Sequence, residues 1–147
     1  MTGLASVHRR GNRVLVVDDD PFIQQMAEAL LGRGGLHVEI APTGAAALAR
    51  MADPPPDLVL LDLGLPDISG LEVLRYFRNA PAWRDVRILM LTASHETDHI
   101  VRAKQAGASG YVCKPVQPDA LAEMVCDLLD QGSLTWLDDY TRAHKNS

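Results

Sequence analysis

Three consecutive acids, Asp18, Asp19 and Asp20, close one short apolar run of this chain, and a further acid, Asp62, closes a second. A third run ends on a hydroxyl, Thr92, and a fourth on an amine, Lys114, which precedes Pro115. Two carboxylates held about 4 Å apart repel by about 4 kcal/mol at an effective dielectric near 20, so such a cluster needs a cation. Oxygen donors with no His or Cys at metal spacing favour Mg2+, which takes one or two carboxylates and keeps several waters. An ion bound in that way can grip a phosphate oxygen. Lys114 adds a point charge for a phosphoryl oxygen. Thr92 adds a hydroxyl, and backbone N–H groups just after it can complete an anion site. An Asp carboxylate can itself act as the nucleophile and become an aspartyl phosphate. Asp20 stands apart, because a solvated turn acid that caps the next helix accounts for it. Thr92 or Lys114 taken alone reads as structural; the four strand ends together read as a phosphoryl site.

The elements that must position these residues follow from the runs themselves. Residues 14–17, 58–61, 88–91 and 111–113 are unalternated and rich in Val, Leu and Ile. Runs of that kind are strands buried on both faces, as in a parallel sheet covered by helices. Every strand of such a sheet delivers its last residue to the same edge, where ligands bind. Val38 and Ile40 alternate with polar neighbours, which suits an edge strand. Between the strands the period becomes helical. Ile23, Met26, Ala27, Leu30 and Leu31 share one stripe, with Asp20 as cap, Pro21 in the first turn and Gly32, Gly34 and Gly35 as the stop. Ala45, Leu48, Ala49 and Ala52 mark a second helix, ended by Pro54-Pro55-Pro56. Leu71, Leu74 and Phe77 mark a third, and Ile100, Ala103 and Ala106 a fourth, closed by Gly107. Leu121, Val125, Leu128 and Leu129 mark a fifth, with Pro118 near its start. Five strands alternating with five helices imply right-handed crossovers and a doubly wound α/β fold.

The 147 residues suit one domain. Its expected organisation is a flexible segment over 1–12, a domain over 13–131 and an extension over 132–147. Ser133 could cap a short helix in that extension. Leu134, Trp136, Leu137 and Tyr140 are too apolar for a plain tail and predict folding back or a dimer contact. The net charge of −5 argues against a nucleic-acid surface. No apolar stretch approaches the ~20 residues of a membrane span, and none at the start has signal-peptide length, so a cytoplasmic location is expected. Cys113 and Cys126 read as buried thiols of a reducing compartment. His95 and His99 read as exposed residues on or just before the fourth helix.

These residues resemble the receiver domains of two-component response regulators. The likeness runs from Arg13 to Asp130 and is carried by Val16-Val17-Asp18-Asp19-Asp20-Pro21, Leu60-Leu61-Asp62-Leu63-Gly64-Leu65-Pro66-Asp67, Ser69-Gly70, Leu91-Thr92-Ala93 and the stretch from Ala106 to Pro115. The resemblance implies a flavodoxin-like sheet of order 2-1-3-4-5, with its crevice between the first and third strands. It implies that Asp62 accepts a phosphoryl group from a sensor histidine kinase or a His phosphotransfer protein. Asp19, Asp62 and the Gly64 carbonyl would hold Mg2+, with Asp18 acting largely through water. Lys114 would contact a phosphoryl oxygen and join Pro115 by a cis peptide bond. Thr92 would read the phosphate, and Ala93 would leave room for it and offer its N–H. Tyr111 would turn inward as Thr92 moves, altering the face of the fourth helix, fifth strand and fifth helix. That face would serve a downstream protein target or a homodimer. The only chemistry expected is the protein's own phosphorylation and dephosphorylation, in a chemotaxis-type, stand-alone module. Gly64 and Ser94 flank the phosphate where receivers tune its lifetime, and no extreme lifetime is expected.

Two other readings compete. A haloacid-dehalogenase-type phosphohydrolase also uses Asp, Thr, Lys and Mg2+, but it carries Asp-x-Asp on its first strand and further acids after the Lys. Asp18-x-Asp20 fits only superficially, and no acid pair follows Lys114 on a further strand. A phosphate-independent interaction domain would leave Asp18, Asp19, Asp62 and Lys114 unexplained.

Overall fold

The computed structural model describes residues 12–93, 96–130 and 136–138. The buried runs form β1 (Arg13–Val17), β3 (Leu58–Asp62), β4 (Arg87–Thr92) and β5 (Gly110–Cys113), and the alternating run forms β2 (His37–Ala41). All pair in parallel in the order β2-β1-β3-β4-β5, the flavodoxin-like order expected. β2 is the half-buried edge strand that its alternation predicts.

Between them lie five helices: α1 (Pro21–Arg33), α2 (Gly44–Ala49), α3 (Gly70–Asn79), α4 (Thr97–Gln105) and α5 (Pro118–Asp130). Period-2 alternation sends successive strand residues to opposite faces, and the core divides accordingly. Val14, Val16, Leu58, Leu60, Leu89 and Leu91 pack with α1 and α5. Leu15, Val17, Val59, Leu61, Ile88 and Met90 pack with α2, α3 and α4. Each such fully enclosed side chain contributes about 1.5–3 kcal/mol of transfer free energy, which is why these strands need no polar partner to declare themselves.

Local chemistry sets the ends. Asp20 caps α1 by accepting from Phe22 N–H at 2.9 Å, as expected. Gly32 lies inside α1 rather than stopping it; the stop is Gly34, with Gly35 at φ 91°. The second helix is shorter than its apolar stripe suggests, because Arg50–Ala52 tighten into a 3-10 turn before the prolines. A second 3-10 turn, Pro81–Trp83, is pinned by stacking of Trp83 on Phe77 at 4.4 Å.

Three expectations need correction. Leu137–Asp138 form β6, a sixth parallel strand beside β5, rather than part of a short helix. The chain there (Leu-Thr-Trp-Leu) is β-prone, and β5 offers it an open edge. Ser133, Leu134 and Tyr140 lie outside the described residues, as do most of residues 1–12, Ser94 and His95. Cys113 and Cys126 remain thiols but are half-buried rather than enclosed, and His99 on α4 is half-buried rather than exposed.

Candidate functional site

The parallel order brings the C-terminal ends of β1, β3, β4 and β5 to one edge, and with them the acids, the hydroxyl and the amine. Asp18, Asp19 and Asp62 each offer a carboxylate oxygen within 4.8 Å of the others. Lys114 Nζ lies 3.0 Å from Asp18 Oδ2 and 3.5 Å from Asp62 Oδ2. Thr92 is buried at the end of β4, where its backbone carbonyl accepts from Lys114 N–H at 2.7 Å, and Ala93 beyond it is exposed. The Lys114–Pro115 bond is cis, as the resemblance implies. Gly64 N–H donates to Asp62 Oδ1 at 3.1 Å, which folds the loop after β3 back over the acceptor strand. Tyr111 lies further down β5 and is only 1% exposed, so this conformation already holds the ring inward.

The three acids differ in environment. Asp18 is 1% exposed and Asp19 is at the surface. Burial pushes the Asp18 carboxyl above the usual range, although the Asp20 N–H at 2.9 Å and the Lys114 ammonium oppose it. Burial alone would lower the Lys114 ammonium, but Asp18, with Asp62 and Asp20 behind it, outweighs burial and holds it above an ordinary lysine. Asp62 is buried as well, at 6% exposure, so the Lys114 ammonium serves a set of three carboxylates of which two are taken out of water. Compact, oxygen-only and short of positive charge, the set fits a hard divalent cation.

Several supporting residues carry no signal that sequence alone exposes. Gln24, on α1, donates to the Asp18 carbonyl at 2.7 Å. Asp67 accepts from Gly44 N–H and Ala45 N–H, both at 2.8 Å, tying the loop after β3 to the start of α2. Gly70 opens α3 so close to β3 that a side chain there would strike the Asp62 carbonyl. Ser109, buried, accepts from Ile88 N–H at 3.0 Å and aligns β5 with β4. Asp67, Gly70 and Ser109 stand within the motifs that carry the resemblance, but their residue types alone do not give these roles, and Gln24 lies outside those motifs.

Residues 14–126 match the family model described as the response regulator receiver domain. The chain belongs to that family. Over 106 residues, 72% of the chain, it is 43% identical to the transcriptional regulatory protein KdpE of Mycobacterium tuberculosis, covering 46% of that protein. Over 113 residues, 77% of the chain, it is 41% identical to the DNA-binding response regulator MtrA of Mycolicibacterium smegmatis, covering 48% of it. The chain therefore spans about half the length of the curated relatives it matches. The chemotaxis response regulator CheY4 of Vibrio cholerae superposes with a TM-score of 0.75 at 31% identity, over 80% of this chain and 98% of that one. The receiver is a phosphoacceptor signalling module of a two-component system rather than an enzyme of the usual kind, and neither competing reading is favoured. Among the described residues no helix is long and apolar enough to cross a membrane.

Proposed function

We propose that Asp62 is the phosphoacceptor of this receiver, taking the phosphoryl group of a phosphohistidine on a sensor histidine kinase or His phosphotransfer protein. The observation that carries the reading is the Asp62 carboxylate at the crevice between β1 and β3, within reach of both Lys114 and the acid pair. Attack by a carboxylate oxygen on phosphorus forms the acyl phosphate as the phosphorus–nitrogen bond breaks, and the departing imidazole keeps the bonding pair and takes a proton from solvent. Asp19, Asp62 and the Gly64 carbonyl would hold Mg2+, with Asp18 in support. An ion held there would supply positive charge to the transferring phosphoryl oxygens. Lys114 exchanges part of its contact with Asp18 and Asp62 for a phosphoryl oxygen. Thr92 offers its hydroxyl, and Ala93 leaves the entrance open while contributing its N–H.

The phosphoryl group adds close to two negative charges. Thr92 and Tyr111 pass that change to the face of α4, β5 and α5, which meets a downstream protein or a second copy. The names of KdpE and MtrA speak of transcription and DNA, yet a net charge of −5 supports a protein rather than a nucleic acid as the immediate contact of this chain. We further read residues 13–131 as the receiver unit, flanked by a separate leading segment and an extension, acting in the cytoplasm. The test is Asp62→Asn with acetyl phosphate and Mg2+. The variant folds normally and takes no label; labelling equal to the unaltered chain refutes the assignment.

A further inference from the structure

An uncovered outer strand presents a row of unpaired backbone groups to solvent and to other chains. β5 would be that strand, but Leu137 pairs with Gly110 and Asp138 with Tyr111. One residue earlier, Trp136 is half-buried and, like Ile100, packs against the cluster that contains Ala103 and Tyr111. Lys104 Nζ, on α4, stands 5.5 Å from the centre of its ring. Two independent contacts, one to the β5 backbone and one to α4, therefore hold this segment.

Each contact is weak on its own. β6 is two residues long, the shortest strand of the sheet. A lone cation–π pair near the surface adds little. The tether does the rest, because only residues 131–135 separate the segment from the end of α5, and short linkers give effective concentrations in the millimolar range. A segment held by one half-buried ring and two residue pairs can be exchanged for a longer one that pairs along more of β5.

We propose that Trp136–Asp138 is a self-supplied cap on a strand-docking surface made of the β5 edge and the Lys104 side of α4. The occupant it suits is an extended segment opened by an aromatic residue, added to the sheet edge by backbone pairing. Release of the cap is governed from the other end of the same strand. β5 has four residues; at its far end Cys113 pairs with Thr92, and Lys114 follows with its amine on Asp18 and Asp62. When a phosphoryl group draws Lys114 and Thr92, β5 adjusts along its length and its pairing with β6 loosens. This coupling rests on the reading of Asp62 as phosphoacceptor.

Amide hydrogen exchange on the full chain tests the proposal. In Trp136→Ala, amides at 110–112 exchange at least tenfold faster while those of β1 and β3 are unchanged, and Trp136→Phe recovers part of the protection. Equal exchange in Trp136→Ala and the unaltered chain overturns the cap. A peptide of residues 134–140 at millimolar concentration restores slow exchange to Trp136→Ala; no restoration overturns the docking surface. Beryllofluoride with Mg2+ speeds exchange at 110–112 in the unaltered chain, with the Asp62 and Lys114 amide signals reporting whether it binds. Binding without faster exchange overturns the release alone. Absence of binding overturns the phosphoacceptor reading and the coupling with it, while the Trp136→Ala result still judges the cap.

Discussion

Gly70→Ala puts one methyl group where the structure has no room for it. Gly70 is the first residue of α3, and its N–H donates to the Leu63 carbonyl at 2.9 Å. A Cβ built there would run into the Asp62 carbonyl oxygen, and would lie 2.8 Å from Leu63 Cα and 2.9 Å from the Asp62 carbonyl carbon. Carbon atoms pack at about 3.5–4.0 Å, so the overlap with Leu63 is roughly 0.7 Å even before the oxygen is counted. All three obstacles are backbone, at the end of a strand whose five residues are all buried. Overpacking of this kind costs about 1–3 kcal/mol. Three backbone obstacles inside 3 Å put the cost at the upper end, about 3 kcal/mol; the better helix propensity of Ala returns at most about 1 kcal/mol of that, leaving a net loss of about 2 kcal/mol.

The same displacement acts on the chemistry. A reacting constellation tolerates about 0.5 Å of misplacement, and 1 Å can cost about a hundredfold. Moving Asp62 by most of the overlap should therefore slow phosphoryl uptake about 10- to 100-fold. Urea unfolding reads the first effect, as a lower midpoint with an unchanged slope. Labelling by acetyl phosphate with Mg2+, at a temperature where the variant is fully folded, reads the second. Gly32→Ala is the internal control: it lies within α1, a Cβ there meets nothing within 4 Å, and it should stabilise by about 0.5–1 kcal/mol. A Gly70→Ala chain with an unchanged midpoint and rate would refute the close approach of α3 to β3. A lowered midpoint with an unchanged rate would show that α3 yields instead of Asp62, and the positional argument for the acceptor would fail.

Lys114→Met removes the one ammonium from the acids. Breaking one side of a buried pair costs about 3–5 kcal/mol; Lys114 is 19% exposed, so the low end, about 3 kcal/mol, is expected from urea unfolding without metal. Excess Mg2+ should narrow that gap. Asp67→Asn tests the tie to α2 through pH. The two N–H groups of Ala45 and Gly44 hold the Asp67 carboxyl below its ordinary value of 3.8. Its contribution is therefore present above pH 3.8 and is lost as pH falls through the lower, folded value. The unaltered chain should lose stability faster than Asp67→Asn below pH 3.8, and parallel urea-midpoint curves would contradict the tie. Mg2+ itself should raise the thermal midpoint, with about 2.7 kcal/mol gained at one hundred times its dissociation constant. Because the Asp18 carboxyl is raised by burial, protons compete with the ion, and the gain should shrink as pH falls toward that raised value. A metal effect that does not depend on pH would mean that Asp18 takes no part.

What could be read from the chain alone was whatever depends on neighbours in sequence. β1, β3, β4 and β5 declared themselves because a strand covered on both faces needs three or four consecutive apolar residues and nothing else. The reactive positions were legible for the same reason, since each is the residue that ends such a run. Asp67 was not, because it is a turn acid until Gly44 and Ala45, 23 and 22 residues away, are folded beside it. Leu137–Asp138 were not either, because an open β5 edge, rather than their own pattern, decides that they extend as a strand.

The hardest distinction lay between Asp18 and Asp19, adjacent and chemically identical. Their difference is made by the sheet. β1 continues its pairing one residue past its end, with Asp18 N–H donating to the Ala41 carbonyl at 3.2 Å. That bond holds Asp18 in line with the strand and its carboxylate under Lys114, at 1% exposure, while the chain turns and Asp19 emerges into solvent. One acid is thus desolvated and answers to the ammonium; the other stays hydrated and open to a ligand from outside. A site that must bind a cation, admit a phosphoryl group and release both gains from the division. With Asp62 buried beside Asp18, burying Asp19 as well would set three desolvated acids against one ammonium, and leaving Asp18 exposed would weaken the field on the phosphoryl group.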